Sequence, residues 1–329
     1  TFAMAICRNP ISTIKMTEFS EIVQELDTGL SSTPKKLSSK YFYDDKGSMI
    51  FQEIMAMPEY YLTRKEHEIL IEQSGDIYAQ LDVKGTLDVI ELGAGDGSKT
   101  KILLKQFMDL GAELRYIPLD ISQEALNELK GIVGAALPDL DIRPLAGDYF
   151  KVLNEIEKSD RNRLFLFLGS NIGNFIPPSN EEFIRFIAKY MRSGDRLLIG
   201  VDLVKDPRVI LRAYDDSQGI TRRFNLNLLK RLNREAGTDF DLKLWDFYCQ
   251  YNPLNGEVRS FLISKDDQVV YSSVINKSYT IAKHEVIWTE LSKKYQIKEI
   301  EALGKSAGLT SIQHFTDKAG YFSDSLFKK

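Results

Sequence analysis

The chain has 329 residues, too many for one minimal domain and enough for one large domain or two. Hydrophobic residues make up 43% and charged residues 27%, the balance of a soluble globular protein, and a net charge of -4 argues against a nucleic-acid footprint or a polybasic membrane anchor. Two cysteines, Cys7 and Cys249, make no disulfide framework and fit a cytoplasmic, reducing compartment; no apolar run reaches bilayer length, and the apolar stretch Phe2 to Cys7 lacks the basic leader and cleavage site of a signal peptide.

Residues 17–28 place Phe19, Ile22, Val23 and Leu26 on one helical face. Thr63-Arg64-Lys65-Glu66 reads as a capping box that opens a helix through Ile69 and Leu70. From there strand-like runs at 87–92, 116–119, 164–168 and 197–201 alternate with helical stretches at 98–110, 122–136 and 179–192. Ser179 and Glu182 form a second capping box. Strands alternating with helices imply a parallel sheet covered by helices on both faces. Beyond Leu203 the rhythm breaks. Helices near 207–216 and 221–236 precede strand-like runs at 244–251, 256–263 and 268–275, a meander. A helix near 294–307 and strands at 310–316 and 320–327 resemble the end of a doubly wound sheet. The meander therefore reads as an insertion, and the N-terminal 60 residues fit neither part.

The sharpest local feature is Val89-Ile90-Glu91-Leu92-Gly93-Ala94-Gly95-Asp96-Gly97-Ser98, a strand running into three alternating glycines and then a helix. Glycine is needed where backbone approaches a ligand or takes positive φ, and open α/β sheets bind ligands at the carboxyl ends of their strands. A dinucleotide fingerprint wants its third glycine one residue later, where Ser98 stands. Asp120 ends the next strand and is placed to hold ribose hydroxyls. Asp148-Tyr149, after a further strand candidate, could bind an adenine amino group and stack on its ring. Each acid alone is more often a solvated loop carboxylate; the ordered set points to S-adenosylmethionine over NAD. Other chemistries have little support. His67, His284 and His314 lack metal-ligand spacing, and no metal site is expected. No Gly-x-Ser-x-Gly elbow or Walker loop is present.

Several longer segments carry a resemblance. They are Tyr41-Phe42-Tyr43-Asp44-Asp45-Lys46-Gly47-Ser48, Pro58-Glu59-Tyr60-Tyr61-Leu62-Thr63-Arg64, Phe167-Leu168-Gly169-Ser170-Asn171-Ile172-Gly173-Asn174, Gly200-Val201-Asp202-Leu203-Val204-Lys205-Asp206 and Ala213-Tyr214-Asp215-Asp216. With the glycine loop they spread over nearly the whole chain. On them the chain resembles the histidine-specific Nα-methyltransferases, including the ergothioneine-pathway enzyme. The resemblance implies an α/β fold: a Rossmann-like class I methyltransferase doubly wound sheet with a second α+β substrate domain. It implies an adenosylmethionine-binding domain from 64–204 plus 294–329 and a substrate domain from 1–63 plus 205–293. Its cofactor positions map onto Tyr43, Gly93, Lys99, Asp120, Asp148 and Tyr149. Asn174 and Tyr214 would hold the α-amino and carboxylate end of the substrate; Tyr60, Glu290 and Ser292 would meet the imidazole. Thr289-Glu290-Leu291-Ser292 reads as extended, which puts Glu290 and Ser292 on one face because strand side chains alternate.

Two positions depart from the family pattern. Asn171 stands where the motif usually has Thr. Ser260 stands where the ergothioneine enzyme has Met against the substrate ring, which enlarges that wall. The reading is methyl transfer from adenosylmethionine to the α-amino nitrogen of a small-molecule amino acid, histidine first, up to the trimethylated betaine. Tyr43 is the candidate for positioning the amine or relaying its proton. Neither a nucleic acid nor a membrane partner is expected, and a monomer is favoured. The rivals are the same transfer to another amino acid or aromatic amine, a nucleotide-binding module without turnover, and an NAD oxidoreductase. The last is disfavoured by Ser98 and by the want of a hydride-transfer acid.

Overall fold

The structure, a computed structural model, describes residues 10–83, 85–157, 159–175 and 179–329, with side chains from Glu21 onward. The stretch Phe2 to Cys7 and the side chain of Phe19 lie outside the described residues. The chain divides into two compact units. Unit 1 comprises Thr1–Tyr60, Pro207–Asn252 and Val258–Leu291; unit 2 comprises Tyr61–Asp206, Pro253–Glu257 and Ser292–Lys329.

Unit 1 contains helices α1 (Pro10–Ser31), α2 (Asp45–Ala56), α8 (Pro207–Tyr214) and α9 (Ile220–Glu235). Its strands are β1 (Lys35–Lys36), β8 (Trp245–Asn252), β9 (Glu257–Ser264), β10 (Gln268–Ser272), β11 (Lys277–Ile281) and β12 (Val286–Lys293), the last ending inside unit 2. Four strands form a sheet in the order β1-β12-β9-β8, while β10 and β11 form a separate antiparallel hairpin. One apolar cluster unites Leu26, Leu30, Phe42, Ile50 and Ile54 with Phe224, Leu228, Trp245, Leu262 and Ile287. The N-terminal residues that match no local pattern thus find their core in the segment that interrupts the α/β rhythm. The expected single meander is two structures, because β10 pairs with β11 and not with β9.

Unit 2 holds β2 (Thr86–Leu92), β3 (Glu113–Asp120), β4 (Asp141–Ile142), β5 (Leu145–Ala146), β6 (Asn162–Phe167), β7 (Arg196–Asp202), β13 (Thr310–Thr316) and β14 (Phe322–Lys328). They form an eight-stranded sheet in the order β13-β14-β7-β6-β2-β3-β4, with β5 also paired to β3. The strands from β2 to β7 are parallel, and β14 runs antiparallel to both β7 and β13. Strand β7 is buried at every residue, as expected of a strand covered on both faces. The helices are α3 (Tyr61–Leu81), α4 (Thr100–Asp109), α5 (Gln123–Ala136), α6 (Tyr149–Val152), α7 (Ser179–Tyr190) and α10 (Ile297–Ser306). This strand order is that of the Rossmann-like class I methyltransferases. The chain reverses direction across the sheet at β2, between β3 and β6, so the crevice beyond the end of β2 is the place for a ligand.

One local expectation is corrected. Helix α3 begins at Tyr61, so Thr63 lies inside the first turn and is not its cap. The carboxylate of Glu66 does not fold back on the helix start; it is buried in the ion pair described below.

Candidate active site

The glycine loop lies at the end of β2. Gly93, Gly95 and Gly97 have φ of +72°, +55° and +68°, the left-handed region that side chains disfavour. Each has its own surroundings. A Cβ on Gly93 would stand 2.8 Å from Tyr149 Oη, and one on Gly97 would stand 2.9 Å from Val133 Cγ2 in the neighbouring helix. A Cβ on Gly95 would meet nothing within 4 Å, which is the open approach a ligand requires. Gly93 N donates to the Leu119 carbonyl at 2.8 Å, and Gly147 N donates to the Asp120 carbonyl at 2.9 Å. The ends of β2, β3 and β5 are thereby tied together, and Gly93, Asp120, Asp148 and Tyr149 come to one edge of the sheet.

Asp120 is half-buried and accepts from Ser122 N at 3.0 Å and from Gly95 N at 3.4 Å. Asp148 accepts from Phe150 N at 2.9 Å, capping α6. Burial pushes the ionisation of Tyr149 up, and the Asp120, Asp148 and Glu91 carboxylates push the same way. Its phenol therefore stays protonated. Beneath the loop, Glu91 is almost fully buried and accepts from Thr100 Oγ1 at 2.6 Å and from Tyr116 Oη. Burial raises its pKa to about 7 against the lowering effect of both hydroxyls and of Lys99.

Lys99, at the start of α4, pairs with Glu66 Oε2 at 2.5 Å. Burial lowers the Lys99 pKa, but the Glu66 carboxylate outweighs it and the net shift is upward. Glu66 Oε1 accepts from Gly169 N at 2.6 Å, so one buried carboxylate links the glycine-loop helix to the segment carrying Asn171 and Asn174. Asp324 lies alongside, opposite Gly200 in the β14–β7 register. It is fully buried, and neither of its oxygens has a hydrogen-bond partner among the described residues. Burial drives its pKa well up, Glu66 adds to this and Lys99 opposes it. Gly200 is glycine for space, because a Cβ there would run into Glu66 Oε1. Sequence reasoning did not find Glu66, Glu91 or Asp324 as site residues.

The segment 169–174 follows β6. Gly169 has φ of +76° and Ser170, a non-glycine, +60°; the Ser170 hydroxyl accepts from Asp202 N at 3.0 Å. Asn171 Nδ2 lies 3.7 Å from where a Gly93 Cβ would be, so the position that departs from the family pattern faces the glycine loop. Asn174 ends the short helical turn Asn171–Asn174 and is exposed. A Cβ on Gly173 would stand 2.7 Å from the Lys293 carbonyl, which sets this segment against the end of β12. There Ser292, 6% exposed, accepts from Lys294 Nζ at 2.9 Å. Lys294 pairs with Asp202 Oδ2 at 2.9 Å, and both side chains are fully buried. Asp202 also accepts from Tyr61 Oη at 2.8 Å and from Lys205 Nζ. Burial lowers Lys205 to about 8 despite Asp202, and the Lys294 charge contributes to the fall.

Tyr43, Tyr60, Tyr214 and Glu290 belong to unit 1. Asp44 positions Tyr43: it caps α2 by accepting from Gly47 N at 2.8 Å, and it also accepts from Asn227 Nδ2 and Arg234, each at 2.8 Å. The Tyr43 ring meets Phe51 and Phe224 edge-on at 5.4 and 5.6 Å. The residue is 46% exposed, yet desolvation around its hydroxyl raises the pKa, as do Glu290 and Tyr214. Tyr60 and Tyr214 meet edge-on at 6.2 Å. Asp216 just after Tyr214 fixes the turn into α9, accepting from Ile220 N at 2.9 Å and Thr221 N at 2.8 Å. Glu290 is half-buried in β12, and its carbonyl accepts from Trp288 Nε1 at 2.8 Å. The regular alternation of burial that would give Glu290 and Ser292 one face ends at Leu291 and Ser292, which are both buried. Ser260 is 2% exposed and its carbonyl accepts from Thr289 Oγ1 at 3.0 Å, next to Glu290 in sequence.

Among the described residues no cluster of His, Cys, Asp and Glu could hold a metal ion, and no helix is long and apolar enough to cross a membrane. A family model described as histidine-specific methyltransferase, SAM-dependent, matches residues 22–329. The histidine N-alpha-methyltransferase of Mycolicibacterium smegmatis is 37% identical over 303 residues, covering 92% of this chain and 93% of that protein. Its counterpart from Mycobacterium tuberculosis is 36% identical over 306 residues, covering 93% and 94%. Ergothioneine biosynthesis protein 1 of Neurospora crassa is 30% identical over 289 residues, 86% of this chain but 32% of the fungal protein.

Proposed function

The chain belongs to the family of histidine-specific, S-adenosylmethionine-dependent methyltransferases, and we propose that it methylates the α-amino nitrogen of free histidine, up to the trimethylated betaine. The observation that carries the substrate assignment is the half-buried Glu290 carboxylate, two residues from the Ser292 hydroxyl in one strand. An imidazole offers an N–H to a carboxylate and a bare nitrogen to a hydroxyl; aliphatic and phenyl side chains offer neither. The full-length similarity to two histidine N-alpha-methyltransferases supports the same reading.

The glycine loop fits the cofactor, because Gly95 leaves open space beside a strand end and Asp120 stands by it with a carboxylate. Bound there, S-adenosylmethionine supplies a sulfonium methyl group that is already electrophilic. We assign Asp120 to the ribose hydroxyls, Asp148 and Tyr149 to the adenine, and Gly93 and Lys99 to the methionine end. Asn174 and Tyr214 hold the α-amino and carboxylate groups, and Tyr60 packs on the imidazole. Alignment of a neutral amine is the main task, since attack of its lone pair breaks the carbon–sulfur bond in one step. Free α-amino groups are largely protonated at neutral pH, so a proton must leave first. Tyr43 stays a phenol at that pH because its ionisation is raised, so it orients the amine or passes its proton on and does not act as a tyrosinate base.

A second reading has one observation in its favour. Ser260 gives β9 a small, buried residue where the resembled enzyme has Met, an exchange that would favour a larger ring such as that of tryptophan. A methylation assay across the free amino acids with mass detection tests both. Turnover of histidine to mono-, di- and trimethylated products is expected. Turnover of another amino acid with none of histidine would overturn the substrate and leave the methyl transfer standing.

A further inference from the structure

Two glycine turns stand at the ends of neighbouring parallel strands of unit 2, Gly93 after β2 and Gly169 after β6. A Cβ on Gly169 would lie 3.0 Å from Lys99 Nζ, 3.6 Å from Asn171 Nδ2 and 3.8 Å from Asn171 Oδ1. A Cβ on Gly93 would lie 2.8 Å from Tyr149 Oη and 3.7 Å from the same Asn171 Nδ2. The Asn171 amide therefore sits between the two turns, beside the Lys99 ammonium. It is half-buried, and among the described residues its side chain makes no hydrogen bond. We propose that Asn171 is a further binding residue: its amide takes the amino-acid end of S-adenosylmethionine, donating to the carboxylate and accepting from the ammonium. This rests on the assignment of Gly93 and Lys99 to the methionine end of the cofactor.

The chemistry of that end explains why an amide suits the place. It carries a carboxylate and an ammonium on one carbon. Lys99 has donors only, so it serves the carboxylate and repels the ammonium. An amide has two N–H donors and an acceptor oxygen, and both ends of the Asn171 amide stand almost equally near Gly169. Threonine, usual at this position in the family motif, offers a single hydroxyl on a shorter arm. The frame around the amide is fixed in advance. Glu66 accepts from Gly169 N at 2.6 Å and pairs with Lys99 Nζ at 2.5 Å, so one buried carboxylate holds both the turn and the cation beside Asn171. Groups held in place before binding lose little freedom when the ligand arrives. Free histidine also carries a carboxylate and an ammonium. The cofactor is the better match, because the amide faces the glycine loop at the end of β2, where the sheet changes direction.

The experiment is calorimetry without histidine, using S-adenosylhomocysteine, which keeps the amino-acid end, and methylthioadenosine, which lacks it. Asn171→Ala should weaken S-adenosylhomocysteine about three- to ten-fold and leave methylthioadenosine unchanged. Asn171→Asp should weaken it further, since a second carboxylate then competes for Lys99 and repels that of the ligand, and Asn171→Thr should recover part of the loss. Lys99→Met checks the assignment beneath the inference and should also weaken S-adenosylhomocysteine while sparing methylthioadenosine. If Lys99→Met behaves so and Asn171→Ala changes neither affinity, the inference is overturned while the assignment stands. If Lys99→Met affects both probes alike, or neither, the assignment is wrong and the inference falls with it. Equal weakening of both probes by Asn171→Ala means that the residue acts only through the loop, and overturns the inference. An unchanged affinity for S-adenosylhomocysteine with a raised KM for histidine gives the amide to the substrate, and overturns it too. Asn171→Asp, nearly identical in shape to wild type, carries the test if Asn171→Ala does not fold: binding of S-adenosylhomocysteine as tight as in wild type refutes the proposal.

Discussion

Replacing Asp120 by alanine should weaken cofactor binding and little else. Its two oxygens accept from Ser122 N and Gly95 N at 3.0 and 3.4 Å. A carboxylate has about four lone-pair positions, so those two bonds leave acceptors for ribose hydroxyls. Bonds to a charged acceptor contribute about 1.5–3 kcal/mol each in a dry site. Asp120 is only half-buried, so water recovers part of that, and about 1–3 kcal/mol is expected for the whole carboxylate. At about 1.4 kcal/mol per factor of ten, the dissociation constant for S-adenosylmethionine rises roughly 5- to 150-fold. Asp120→Asn keeps one acceptor oxygen without the charge and should fall nearer the low end. The assay is calorimetry with S-adenosylmethionine on both variants, beside an unfolding curve, since the Gly95 and Ser122 contacts also steady the loop. The KM for histidine at saturating cofactor should not move. A folded alanine variant that binds the cofactor within a factor of about two of wild type would remove Asp120 from the site.

Glu290→Ala should lower histidine methylation by about one to two factors of ten, following about 1.5–3 kcal/mol for a charge-assisted bond, and should raise tryptophan and phenylalanine relative to histidine because the half-buried carboxylate no longer disfavours a less polar ring. The ratio of catalytic efficiencies for histidine and tryptophan checks this, and an unchanged ratio means Glu290 does not read the side chain. Glu91 should make stability fall as pH rises. Its pKa is about 7 in the folded protein against an ordinary 4.5, so between those values the folded state keeps a proton that the unfolded state releases. Its stabilising contribution is complete below the ordinary value and lost as pH passes 7, a change of about 3 kcal/mol. Glu91→Gln, whose amide can still meet the Thr100 and Tyr116 hydroxyls, should flatten that slope; urea midpoints from pH 5 to 8 giving equal slopes for both proteins would contradict it.

The strand-end cluster proposed for the cofactor was legible because its requirements are local. Three glycines in a left-handed backbone, an acid at the end of the next strand and an acid–aromatic pair after another all show in short stretches of sequence. The chain order of strands and helices showed in the same way, from alternation alone. The packing of unit 1 was not legible from local pattern, for the opposite reason, and only the resemblance joined 1–63 to 205–293. Phe42 and Ile54 pack with Phe224 and Leu228, and β1 pairs in parallel with β12 through Lys35 and Ile287. No periodicity records partners so distant along the chain. Lys277-Ser278-Tyr279-Thr280-Ile281 offers only two apolar residues, Tyr279 and Ile281, and its strand exists because β10 lies beside it.

The resemblance proposes residues whose structural support it could not describe. Tyr43, Asn174 and Ser292 were each named by motif, and the stretches that carry them are held by neighbours that sequence cannot single out. Asp44 looks like any turn acid until it is seen to take Gly47, Asn227 and Arg234 together. Ser170 occupies a left-handed backbone where glycine would be expected, and its hydroxyl accepts a hydrogen bond from the backbone of Asp202. A non-glycine residue in that conformation costs about 1 kcal/mol or more, and it persists only where the surroundings determine it. The same Asp202 carboxylate fixes Lys294, and Lys294 fixes Ser292. One buried acid at the end of β7 therefore steadies both the segment that leads to Asn174 and the strand end that carries Ser292. Substitution at Asp202 should damage both together, whereas substitution at Asn174 or Ser292 should damage only one.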